Sequence, residues 1–232
     1  METTVRELKI GSRLFLGKYS VRLASSTDPV VWLKGSHESD FITECIIDYL
    51  VFDAKERDYS GEYIRTHNNL FRFSNIHSFI NSEEAEWYVP SHRLDTPPDI
   101  GHIGERTGVY KHHYGMLYDF SDYELKSIVV SEYEVDGVES KSLMRLPLQQ
   151  DIFGEFKFPL FNRKGIRPHP TQDLCNGKRT LGYLPSSFAP FWCMDRSGDY
   201  VKIVDRAGNI RHIATFFGCG LRPVCNINPE KN

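Results

Sequence analysis

The chain has 232 residues with a formal net charge of −3; 40% of its residues are hydrophobic and 25% are charged. That length suits one large domain, and the balance excludes a disordered chain, a coiled coil and a strongly basic nucleic-acid binder. Apolar runs are short, such as Ile46-Ile47, so no segment is expected to span a bilayer, and Met1 to Arg6 lacks the basic-then-apolar pattern of a signal peptide.

Residues 1 to about 58 carry Leu14-Phe15-Leu16, Val30-Val31-Trp32-Leu33 and the run Phe41 to Phe52, each bounded by Gly, Pro, Ser or Asp. These predict two or three antiparallel strands. Ile42, Ile46, Tyr49 and Leu50 also fit a helical face, so residues 41–52 read as strand or helix.

Residues 59 to 150 hold the helix signals. Ser74 precedes Ile76, Phe79 and Ile80, which share one face at i, i+3 and i+4. Ser121-Asp122-Tyr123-Glu124 is a capping box, followed by an apolar stripe at Leu125, Ile128, Val129 and Tyr133. Between them, residues 87–120 are rich in Pro, Gly, His and Tyr, and are too long for a plain connection.

Residues 151 to 232 return to strands. Tyr200 to Val204 and Ile210 to Ala214 flank Asp205-Arg206-Ala207-Gly208-Asn209, a hairpin in which Gly208 or Asn209 can supply positive φ. A last strand is expected over Leu221 to Ile227. The pattern predicts one α+β domain over 1–232, mainly antiparallel, with two helices and its first and last strands in one sheet.

The five cysteines, Cys45, Cys175, Cys193, Cys219 and Cys225, are odd in number and lack Cys-x-x-Cys spacing. Buried reduced thiols are expected rather than disulfides or a zinc site. Six of the nine histidines lie between His67 and His113, but no His-Glu-x-x-His occurs, and the adjacent His112 and His113 would point apart in extended chain. Asp95 and Asp99 flank Pro97-Pro98 and fit turn caps better than an acid/base pair or calcium ligands. No Gly-x-Ser-x-Gly, Walker or dinucleotide pattern is present. No catalytic residue, metal or cofactor is expected.

The long segment interleaves Trp87, Tyr88, Tyr110, Tyr114 and Tyr118 with His92, Arg93, His102, Arg106, Lys111, His112 and His113. That is the composition of a recognition surface. Tyr110, Tyr114 and Tyr118 also stand at helical spacing, which equally suits a packed core.

Several strings occur in order: Phe52-Asp53-Ala54-Lys55-Glu56, Asn68-Asn69-Leu70-Phe71-Arg72-Phe73-Ser74-Asn75-Ile76, Phe79-Ile80-Asn81-Ser82, Trp87-Tyr88, Tyr114-Gly115-Met116-Leu117, Phe191-Trp192 and Gly220-Leu221-Arg222-Pro223-Val224-Cys225-Asn226. Together they resemble an uncharacterised domain family of phages and prophages of Gram-positive gut bacteria, found also in surface proteins of those bacteria. That family looks like a branch of the C-type-lectin-like fold in its formylglycine-generating-enzyme style.

The resemblance implies termini sharing a sheet, two helices, and a long loop region of about 87–120 that displays a binding surface. It implies a non-enzymatic virion protein, such as a capsid decoration, head fibre or tail-attached module, made in the host cytoplasm. Its partners would be other virion proteins or a host cell-surface glycan or protein, with homo-oligomers compatible and no nucleic acid or membrane insertion. The binding residues expected are Trp87, His92, Arg93, Asp95, Tyr110, His112, His113 and Tyr114. Asn69, Trp192, Arg222 and Pro223 read as structural, with Arg222 satisfied by carbonyls or a carboxylate. The Glu-Pro-Asn, Gln-Pro-Asp and Trp-Asn-Asp strings of calcium-dependent lectins do not occur. Two other readings remain: a phage-encoded intracellular inhibitor of a host defence protein, and an oxidase-type enzyme on the same fold.

Overall fold

β-Branched and aromatic runs near the N-terminus become strands because their side chains pack well on a pleated, half-buried surface. The computed structural model describes residues 4–19, 29–54, 56–57, 63–65, 68–88, 110, 113–154 and 189–231. β1 (Arg13–Lys18), β2 (Pro29–Lys34) and β3 (Asp40–Thr43) pair antiparallel in succession, with Leu14 opposite Trp32 and Leu33 opposite Ile42. Trp32 is fully enclosed, and its indole N–H donates to the Leu16 carbonyl at 2.9 Å.

The chain continues through β4 (Asp48–Val51), β5 (Glu56–Arg57), β6 (Tyr63–Arg65), α1 (Asn75–Ile80) and α2 (Asp122–Leu125). It then forms β7 (Ile128–Val129), β8 (Ser131–Val135), β9 (Val138–Ser142), β10 (Met144–Arg145) and α3 (Gln149–Phe153). It ends with β11 (Phe191–Ser197), β12 (Tyr200–Val204), β13 (Ile210–Ile213), β14 (Gly218–Leu221) and β15 (Val224–Ile227). Among the described residues the fold is mostly antiparallel sheet with three short helices.

One sheet runs β1-β2-β3-β15-β10, with β7 also on β15; a second runs β13-β12-β11-β14-β4, and β5-β6 and β8-β9 form two small two-stranded sheets. The first and last strands do share a sheet. The expected hairpin is also present, pairing Lys202 with His212. Its loop is closed by the Asp205 carboxylate, which accepts from the amides of Ala207 at 2.8 Å and Asn209 at 2.9 Å, while Gly208 takes φ 85°.

Three expectations are corrected. Residues 41–52 form two strands in different sheets, not one strand or a helix. The expected last strand over Leu221 to Ile227 is likewise two strands, broken at Arg222-Pro223. The second helix stops at Leu125, although its capping box is formed by Ser121 and Glu124. Ile128 and Val129 pair with β15 instead, and Tyr133 lies on the β8–β9 hairpin. The apolar stripe there is a strand signal, because β15 offers a ladder to Ile128 and Val129.

The two breaks lie side by side. Ile42 pairs with Val224 and Asp48 with Leu221, so six residues of one strand pair advance against three of the other. The slack is taken up by residues 44–47, where the chain crosses between sheets. Arg222 fills the crossing. It is 1% exposed; its Nε donates to the Thr43 carbonyl at 2.8 Å and its Nη2 to the Glu44 carbonyl at 3.4 Å, and its guanidinium lies 5.5 Å from the Phe191 ring centre. The Pro223 carbonyl accepts from the Thr43 amide at 3.1 Å.

Trp192 is fully buried, donates from its indole to the Leu50 carbonyl at 2.8 Å and meets Phe52 edge-on. The Asn69 side-chain amide donates to the Gly198 carbonyl at 2.5 Å, tying the approach to α1 to the β11–β12 turn.

Candidate functional site

α1 supplies the wall on which the predicted surface rests. The Ser74 hydroxyl accepts from the His77 amide at 3.3 Å and caps the helix, while Ile76, Phe79 and Ile80 face the core. Phe79 packs against Trp87 at 5.4 Å and Tyr110 at 5.2 Å between ring centres, and Trp87 meets Tyr110 at 5.1 Å. Trp87 is 4% exposed and Tyr110 0%. Their polar ends are taken as well: the Trp87 indole donates to the His113 carbonyl at 2.9 Å, and the Tyr110 hydroxyl to the Val51 carbonyl at 2.6 Å. Trp87 and Tyr110, expected at a binding surface, are placed as core rings. Of the three tyrosines whose spacing equally suits a packed core, Tyr110 is packed, while Tyr114 and Tyr118 are exposed.

Behind the wall sits a polar cluster that the sequence reading missed. Asp48 on β4 is fully buried. Its Oδ1 accepts from the Tyr49 amide at 2.6 Å and its Oδ2 from the Tyr19 hydroxyl. His113 Nδ1 lies 3.4 Å from Asp48 Oδ2 and 3.3 Å from the Tyr19 hydroxyl. Burial, and then the nearby Asp48 charge, push the Tyr19 phenol well above its usual range. The phenol therefore stays a donor at neutral pH, and the cluster holds His113 in place. A carboxylate inside Ile46-Ile47-Asp48-Tyr49-Leu50 was the available signal: an acid in an apolar strand needs a buried partner.

Next to His113 the chain turns outward. The Gly115 amide donates to the Glu84 carbonyl at 2.9 Å, that of Met116 to Phe79 at 3.0 Å and that of Leu117 to Ser82 at 3.0 Å. The Tyr118 amide donates to the Gly115 carbonyl and the Phe120 amide to the Leu117 carbonyl, each at 3.0 Å. Met116, Leu117 and Phe120 point inward and are buried. Tyr114 and Tyr118 point outward, 56% and 45% exposed, with ring centres 4.6 Å apart and planes inclined 46°. The result is an exposed aromatic pair on a turn whose backbone is bonded at five places.

Gly115 permits this approach. A Cβ there would lie 2.3 Å from the Ser82 carbonyl oxygen, a backbone atom that cannot step aside alone. Gly115→Ala is expected to cost about 2 kcal/mol in urea denaturation, by forcing the turn off its seat. An unchanged midpoint would show that the turn is not held against Ser82.

His92, Arg93, Asp95 and His112 lie outside the described residues, as do Asp99, His102, Arg106, Lys111 and Cys175. Of the predicted binding residues in view, the structure gathers Trp87, Tyr110, His113 and Tyr114 in one place, and only Tyr114 presents its ring to solvent.

No family model, curated protein or solved structure matches the chain.

Two other features complete the chemistry in view. A groove of about 630 Å³ lies between the β8–β9 hairpin and α1, lined by Arg72, His77, Glu132, Tyr133, Glu134 and Lys141 among others. The free thiols of Cys45, Cys193 and Cys225 are pushed up in pKa, chiefly by burial, which is the reverse of an activated nucleophile. Among the described residues no three metal-ligating side chains converge, and no helix is long and apolar enough to cross a membrane.

Proposed function

We propose that the protein is a non-enzymatic recognition module of a bacteriophage particle, attached to capsid or tail, on a C-type-lectin-like framework. The Tyr114–Tyr118 pair carries the reading. Exposed aromatic rings on a rigid backbone are good anchors, because they bury large area at small entropic cost. Anchors of this kind contribute roughly 2 kcal/mol each when a partner covers them. The turn is fixed before any partner arrives, through its bonds to Phe79, Ser82 and Glu84. The framework part of the proposal is supported by the two larger sheets, by the first and last strands sharing one of them, and by the short helices beside the displayed turn.

In this reading the partner is another virion protein or a surface on the host cell, and binding works by shape and charge rather than by chemistry on a substrate. Quantitative mass spectrometry of purified particles, set against the infected-cell lysate, tests it. Enrichment in particles at a fixed ratio to the major capsid protein is the expected result. Abundance in the lysate with absence from particles would overturn it and would point to a host-directed inhibitor.

A further inference from the structure

The described segments that carry the tyrosine pair are lopsided in charge. The turn is joined to residues 82–84 by backbone hydrogen bonds, so the segments 82–88 and 113–122 lie together. These segments contain Glu83, Glu84, Glu86, Asp119 and Asp122, and neither Lys nor Arg. All five carboxylate residues are exposed. None takes part in an ion pair among the described residues; Glu7, Glu134, Glu139 and Asp199 are likewise exposed and without an ion pair there, but they do not gather on one turn, and five other carboxylates are matched. Glu44 pairs with Arg13, Glu132 with Lys141, Asp136 with Arg196, Asp205 with Arg211 and Glu230 with Arg6. The two tyrosine rings meet each other and are about half exposed, and their faces carry the negative side of the ring quadrupole.

We infer that the Tyr114–Tyr118 platform docks an arginine- or lysine-bearing segment of a protein partner, with the cation on the tyrosine rings and the surrounding carboxylates drawing it in. A cation over a tyrosine face is attracted by the quadrupole, and the unmatched carboxylates add long-range steering. A neutral glycan would use the rings and leave the charge excess unanswered. The inference rests on reading this turn as the recognition surface, and it names the chemistry of the partner.

The test uses the purified full chain and a fluorescein-labelled Gly-Ser peptide carrying several arginines, read by fluorescence anisotropy. The control peptide has citrulline at each arginine, which removes the charge and keeps the shape. The arginine peptide is expected to bind about tenfold more tightly than the citrulline one, with affinity falling as salt rises. Tyr114→Ala combined with Tyr118→Ala keeps every carboxylate and is expected to lose about tenfold. Glu83→Gln, Glu84→Gln and Glu86→Gln together, at exposed positions, are expected to weaken binding and flatten the salt dependence. No binding of the arginine peptide, equal binding of the citrulline peptide, or unchanged binding by the double tyrosine variant would each overturn the inference. Particle association without arginine dependence would remove this inference alone. Arginine-dependent binding by a chain absent from particles would remove the virion assignment alone.

Discussion

Replacing Arg222 with alanine is expected to destabilise the fold by about 4 kcal/mol, read as a lowered urea midpoint. Three losses combine. The Thr43 and Glu44 carbonyls lose a charged donor, the Phe191 ring loses the guanidinium beside it, and a cavity opens where both sheets exchange strands. Burial opposes part of this: it lowers the Arg222 pKa to about 10, so holding the charge there has a cost, yet the group stays charged at neutral pH. Arg222→Met separates the terms. Methionine refills the space and removes the buried charge, but leaves the carbonyls bare, so about 2 kcal/mol of loss is expected. Equal losses for the two variants would mean that hydrogen bonding, not volume, holds the crossing. A loss below about 1 kcal/mol for alanine would show that the crossing at 44–47 is closed without the arginine.

The same crossing explains what could be read from the sequence. Local signals were legible wherever one short stretch satisfies itself. The Ser74 cap, the Ser121–Glu124 box and the Asp205-to-Asn209 hairpin loop are all formed by side chains meeting backbone a few residues away. The runs 41–52 and 221–227 were legible as apolar but not as divided. Their division depends on two remote stretches changing sheet together, and only the Arg222-Pro223 pair marks the spot. The β8–β9 hairpin was obscured by a helical stripe from Leu125 to Tyr133, although Asp136-Gly137, with φ 52° and 79°, is a strong two-residue turn signal.

The candidate site divided for a similar reason. Composition picked out Trp87, Tyr110, His113 and Tyr114 together, and they are neighbours. Aromatic content cannot separate a ring that supports a surface from one that forms it. That separation is made by Gly115, whose close approach to Ser82 turns Met116 and Leu117 inward and leaves Tyr114 and Tyr118 outside. Asp48 and Tyr19 were missed because their partner, His113, is remote in sequence.

Acid is expected to weaken the protein through His77. This residue lies on α1, its ring edge-on to Phe71 at 5.0 Å, and its Nε2 is enclosed with no hydrogen-bond partner among the described residues. Burial lowers its pKa from 6.5 to about 4. An imidazolium there would lose hydration with no ion-pair partner among the described residues, so the folded ring stays neutral over a range where the unfolded ring takes a proton. Between those two pKa values the unfolded state binds more protons, so stability falls as pH falls. The contribution is intact above pH 6.5 and is lost progressively down to about pH 4, roughly 3 kcal/mol in all. Asp40 and Asp195, whose carboxyls burial pushes up, contribute with the opposite sign. They are present in both proteins when the wild type is compared with His77→Leu, so their contributions cancel. Leucine fills similar space and does not titrate. Urea denaturation across this range should show the variant losing about 3 kcal/mol less than the wild type on acidification. Parallel profiles would mean that the His77 ring can reach water, and that the groove lined by Arg72, Tyr133 and Lys141 is open to the imidazole in the folded protein.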